Sequence, residues 1–270
     1  MVGYIKKHYW AIIIAGVVGL IYVAPNIFFI FSLGKSYQGI PMMHTANDDF
    51  YVARIQEILD GHPLVGSHAF YEYKQETPLA PPIGEMLYAI PAMLFGMKPA
   101  TIIVTSQFLL PLALFLLVYV LLLKLFEDED SFSSKINAIA GALLVTLGYD
   151  LIDYRSLSAF LSGSASPSGF LIWARPINPI LGALLMISFL ISLWRMIANI
   201  RNRIPHKGAL LSAALFLALM VGSYFFSWGI ALSIFVMLAL MYILKKENTI
   251  VKSMGILAGC AFLMTLPYWY

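Results

Sequence analysis

The sequence predicts an all-α fold: a polytopic transmembrane helical bundle with amphipathic surface helices in its first outer loop. Three observations carry that expectation. Hydrophobic residues make up 60% of the chain and charged ones only 11%, with a mean hydropathy of +0.83. A soluble domain has roughly 45–50% apolar and about 25% charged residues. The apolar residues also fall in repeated runs close to the roughly 20 residues that a bilayer-crossing helix needs. Lys and Arg gather mostly between those runs, where they set topology. The formal charge of +3 therefore gives no reason to expect a nucleic-acid partner. The one cysteine, Cys260, lies inside an apolar run and leaves no intrachain disulfide.

The chain opens with a cationic stretch, Met1 to Lys7, before the apolar run Tyr9–Leu33. That run exceeds the roughly 7–15 residues of a signal-peptide core and has no small-x-small cleavage site after it, so it reads as a retained anchor. Six further runs follow: Ala100–Phe126, Ile136–Ile152, Pro179–Ile200, Ala209–Phe226, Trp228–Leu244 and Val251–Trp269. Together they give a single transmembrane domain over residues 1–270 with about seven spans. With the N-terminus inside, eleven of the 17 Lys and Arg residues fall on the cytoplasmic side and six on the outer side, as the positive-inside rule favours. The expected location is the cytoplasmic membrane. The acidic run Glu127–Asp130 then reads as a solvated cytoplasmic loop.

Two outer loops are too long to be turns, 34–99 and 153–178. In the first, Asn47 or Asp48 can cap a helix whose apolar positions Val52, Ile55, Ile58 and Leu59 keep helical spacing, with Gly61 as its stop. A second stripe, Ile83, Met86, Leu87, Ile90 and Leu94, follows Pro81-Pro82 and ends near Gly96. Both predict short helices lying at the membrane surface. The core of the second loop, Ser162 to Gly169, is rich in turn formers and predicts irregular structure. The last run ends in Leu266-Pro-Tyr-Trp-Tyr270, an aromatic cluster suited to an interface, and the chain reads as the front part of a longer protein.

Polar groups just outside the membrane are where chemistry is expected. Adjacent residues on a helix diverge, so of Asp48 and Asp49 one is expected to cap and the other to project. The projecting carboxylate suits general-base work on an acceptor hydroxyl, or a divalent cation such as Mg or Mn. Asp150 and Asp153, three apart, share a helix face, and Asp49 with Asp150 forms the candidate metal pair. Arg155 and Arg175 suit a lipid phosphate, which arginine clamps in bidentate fashion. His44, His62 and Glu76 are candidate substrate contacts. No His pairing supports zinc, and no Walker pattern, Gly-rich phosphate loop or Gly-x-Ser-x-Gly elbow is present.

The order of one span, a long outer loop with an early acidic element and two surface helices, and then more spans resembles the GT-C integral-membrane glycosyltransferases. That superfamily includes oligosaccharyltransferase catalytic subunits and polyprenyl-phosphate-sugar-dependent mannosyl- and arabinosyltransferases. Asn47-Asp48-Asp49-Phe50-Tyr51 stands where such proteins carry their Asp-Asp, Asp-Glu or Asp-x-Asp element, and Tyr51 to Gly61 resembles the helix after it. The resemblance implies that Asp48 or Asp49 is the catalytic base or a metal ligand. It implies that Asp150 and Asp153 form the second acidic element, and that the seven spans match the superfamily's N-terminal module. The activity it implies is inverting transfer of a sugar from a polyprenyl-phosphate carrier to a glycan, lipid or protein acceptor at the outer face, beside membrane lipid. A lipid-linked-sugar transporter or flippase and a non-enzymatic scaffold subunit are the alternatives. Span centres nearly free of ionisable residues count against transport.

Overall fold

A computed structural model describes residues 7–42, 48–64, 66–67, 70–76, 82–126, 128–152 and 171–269, with main chain alone at 71, 149–152 and 268–269. Among them are nine helices and no strand. They are α1 (Tyr9–Leu33), α2 (Asp48–Leu59), α3 (Ile83–Phe95), α4 (Pro99–Leu125), α5 (Phe132–Ile152), α6 (Ile180–Arg201), α7 (Lys207–Val221), α8 (Phe225–Leu244) and α9 (Asn248–Trp269).

Helices stand at all seven predicted spans. Five of them, α1, α4, α6, α8 and α9, are long and apolar enough to cross a membrane, which makes the chain a multi-pass membrane protein. At 25 residues α1 rises about 37 Å, more than the roughly 30 Å of a hydrocarbon core. The expected span Ala209–Phe226 is cut short. α7 ends at Val221 after 15 residues, a rise of about 22 Å. Gly222, Ser223 and Tyr224 form a turn, and α8 restarts at Phe225. The sequence stretch Ser223-Tyr224-Phe-Phe-Ser227-Trp228 reads as a tight aromatic turn between two spans, and the turn falls at its start.

The chain divides into two compact units, residues 1–79 with 85–180, and residues 80–84 with 181–270. In the first, α4 packs against both α1 and α5. The buried residues Ala11, Ala15, Val18 and Tyr22 recur at intervals of three and four along α1, a single stripe. Small residues in it let the backbones close up. A Cβ added to Gly19 would lie 2.6 Å from the Phe108 carbonyl oxygen and 2.9 Å from its ring. Gly19→Leu is therefore expected to cost about 1–3 kcal/mol through overpacking, read as a lower thermal midpoint in detergent. Tyr22 Oη donates to the Thr146 carbonyl at 2.5 Å and ties α1 to α5.

In the second unit α7 packs against α8 and α9. Phe189, Leu193 and Met196 of α6, Ala213, Ala214 and Met220 of α7, Phe235 of α8, and Met254 and Leu257 of α9 share one core. Arg201 Nη2 pairs with Glu247 Oε1 at 3.0 Å.

Two short helices, α2 and α3, form where the apolar spacing predicts them. Gly61 at φ +89° follows α2 and Gly96 at φ +63° follows α3, a backbone conformation that glycine adopts without the Cβ penalty. The apolar stripe of α3 faces outward. Ile90 and Leu94 are exposed, whereas Glu85, Tyr88, Ala89 and Ala92 are buried. An outward apolar face suits contact with lipid, and it leaves the inward face for polar groups.

Candidate functional site

The candidate site starts at the first turn of α2. Asp48 and Asp49 diverge as neighbouring helical residues must. Asp48 is buried at 4% exposure and Asp49 is exposed. Asp49 Oδ1 accepts the Phe50 N–H at 2.8 Å. A carboxylate at this end of a helix is favoured by the N–H groups that lack helical partners there.

One and a half turns on, Arg54 points inward, where its Nε lies 3.0 Å from Glu85 Oε1 of α3. Both side chains are buried, and the guanidinium carbon also sits 5.4 Å from the Phe50 ring centroid, over its face. Burial pushes the Glu85 carboxyl above its ordinary value of 4.5, and the Arg54 guanidinium pulls the other way. This ion pair clamps α2 to α3. Glu57 forms a second, outer tie. Its Oε2 lies 2.7 Å from Lys74 Nζ, an ion pair by distance without the alignment of a hydrogen bond.

The stretch 171–178 reaches the same end of the unit through its main chain. The Ile177 N–H donates to Tyr88 Oη at 3.1 Å. Burial pushes the Tyr88 phenol up, with the Ser106 hydroxyl acting in the opposite sense. Gln107 Nε2 of α4 donates to the Ala174 carbonyl at 3.1 Å. Gln107 Oε1 accepts from Asn26 Nδ2 of α1 at 2.7 Å. Asn26 Oδ1 in turn accepts the Met42 N–H at 2.8 Å. Thus one chain of hydrogen bonds runs from the first loop, through α1 and α4, into the second. Gln107→Leu would leave the Asn26 amide and the Ala174 carbonyl without this partner, at a cost of about 1–3 kcal/mol. The expected readout is faster hydrogen exchange at residues 172–178 than in the parent.

Strain gathers in this loop. Leu171 and Ile177 hold φ of +60° and +63°, a conformation that is a true outlier for a β-branched residue and that tends to cluster at functional sites. Ile177 is nonetheless buried at 1% exposure, so packing and the Tyr88 bond hold it. Nearby, Arg175 is half-buried and forms no ion pair among the described residues. Asn178 Oδ1 is buried without a hydrogen-bond partner among them.

The other predicted site residues divide as follows. His62 Nδ1 lies 3.7 Å from Glu57 Oε2, and Glu76 is exposed after the turn Tyr71–Tyr73. His44, Asp153 and Arg155 lie outside the described residues, as does the side chain of Asp150. Among the described residues no three His, Cys, Asp or Glu side chains gather to hold a metal ion. The candidate metal pair Asp49 and Asp150 falls partly outside the described residues. Asn26, Gln107, Glu85 and Tyr88 were not singled out from the sequence. The available signal was two amide side chains inside long apolar runs, since polar groups in spans are costly unless paired.

No family model matches the chain, and neither a curated protein nor a solved structure matches it.

Proposed function

We propose that the chain is a membrane glycosyltransferase of the GT-C type, which takes a sugar from a polyprenyl-phosphate carrier and passes it to an acceptor hydroxyl outside the cytoplasmic membrane. The observation that carries this reading is the bridging of the two loops. Residues that bond to Met42, Ala174 and Ile177 hold the acid-bearing and arginine-bearing loops at one end of α1, α3 and α4. With the N-terminus inside, that half of α1 and α4 is the outer one.

In the proposed reaction the acceptor oxygen attacks the anomeric carbon as the bond from that carbon to the phosphate oxygen breaks. The attacking hydroxyl passes its proton to the Asp49 carboxylate, and the polyprenyl phosphate leaves as an anion. One displacement inverts the anomeric centre. Asp49 suits the base because it is exposed and its orientation is held by the Phe50 N–H. Arg175 suits the leaving phosphate because no carboxylate among the described residues neutralises it. Buried Asp48 serves the start of α2.

The test is sugar transfer by the purified chain in vesicles, supplied with a polyprenyl-phosphate sugar and an acceptor. Acceptor-dependent release of polyprenyl phosphate is the expected result, and Arg175→Ala should lower it while leaving the thermal midpoint in place. Movement of the intact carrier across the vesicle without bond cleavage would replace this reading with a flippase.

A further inference from the structure

The opposite end of the first unit carries a second polar feature, unrelated to the loops. The start of α1, the last turns of α4 and the start of α5 enclose a groove of about 500 Å³. Lys7, His8 and Lys135 line one part of it, and Trp10, Ile14 and Ile139 another. His8 Nδ1 lies 2.7 Å from Tyr119 Oη, which fixes the imidazole between α1 and α4. Lys7 pairs with Asp130 at the rim. Lys135 is half-buried and has no ion pair among the described residues. Burial, then the positive fields of Lys135 and Lys7, hold His8 below its ordinary range, while Asp130 and Glu129 act against them. Lys135 thus presents a half-buried ammonium group to the groove, beside Lys7 at its rim.

The apolar half calls for a different partner chemistry. Trp10 is 57% exposed and Ile136 47% exposed, in helices that run on as apolar rods. A soluble anion would satisfy the lysine and leave these side chains in water. A zwitterionic lipid would cover them but brings no net charge. We propose that the groove binds an anionic phospholipid, its phosphate at Lys135 and Lys7 and an acyl chain along Ile14, Ile136 and Ile139. Trp10 sits at the boundary between the two, where its amphipathic ring is favoured. The site lies some 18 residues of α1, about 27 Å, from the Asn26 bridge, and shares no residue with the proposed transfer site.

The test reconstitutes the full chain in vesicles of phosphatidylcholine and phosphatidylglycerol in equal amounts. Native mass spectrometry after mild detergent extraction then reads the ratio of retained lipids. The parent is expected to retain phosphatidylglycerol preferentially. Lys135→Gln should cut that preference about fivefold, the effect of one lysine near an anionic headgroup, while Lys252→Gln on α9 leaves it unchanged. Equal retention of the two lipids by the parent, or equal loss in both variants, overturns the proposal. Should Lys135→Gln fail to fold, quenching of Trp10 fluorescence by brominated lipids in the parent decides. Stronger quenching by the brominated phosphatidylglycerol, lost in Trp10→Phe, is expected, and equal quenching by the two lipids overturns it.

Discussion

In the proposed transfer reaction, Asp49→Asn is expected to lower sugar transfer about 10²- to 10⁴-fold, the usual contribution of a positioned general base, with little change in stability. Asparagine keeps the shape of the side chain and its carbonyl oxygen, so the bond from the Phe50 N–H to that oxygen can persist. It cannot accept the acceptor's proton. Asp48→Asn should behave differently. Asp48 is buried, so its replacement acts first on the start of α2 and is read as a lower thermal midpoint. Transfer assayed beside unfolding separates the two roles. Unchanged transfer in the double variant would remove both residues from the reaction.

The second large effect concerns the clamp between α2 and α3. Glu85→Ala is expected to destabilise the protein by about 3–5 kcal/mol, because it breaks a buried ion pair by removing one partner. Replacing both partners, as in Arg54→Met with Glu85→Leu, should cost far less than the two single changes together. A buried pair contributes little net stability, since desolvation offsets its attraction. A double-mutant cycle on unfolding free energies measures the coupling.

The same desolvation sets a pH dependence. The folded carboxyl of Glu85 lies above its ordinary 4.5, so the folded state holds the proton more tightly than the unfolded chain does. The contribution is fully present below the unfolded value and is lost as pH rises through the folded one. Thermal midpoints should therefore fall through that window in the parent, and this component should vanish in the double variant. A midpoint that rises through the window because of Glu85 would mean that the pairing with Arg54 outweighs burial.

Much of the fold was legible because a bilayer imposes one length and one polarity on every crossing. The first helix spans Tyr9–Leu33 in sequence and structure alike, and α2 covers Asp48–Leu59 and ends before Gly61, whose positive φ marks the stop. The turn between α7 and α8 was legible as a tight aromatic turn over Ser223 to Trp228, and only its bounds differ, since it closes at Tyr224 and α8 already starts at Phe225. The site was legible in its local chemistry, such as the divergence of Asp48 and Asp49, which follows from helix geometry alone. Its assembly was not. Arg54 and Glu85 are 31 positions apart and Asn26 and Gln107 are 81 apart. Nothing in either neighbourhood names the partner, and only the folded chain pairs them.

The bridge between the loops has one further property. Asn26, Gln107 and Tyr88 grip the loops by main-chain groups, namely the Met42 N–H, the Ala174 carbonyl and the Ile177 N–H. Such a grip reads peptide units, not loop side chains. The loops can therefore exchange side chains, within the limits of size, and remain docked; proline at 42 or 177 is the exception, because it removes the donor. A frame that holds its loops by the backbone tolerates changes in their side chains without losing their placement.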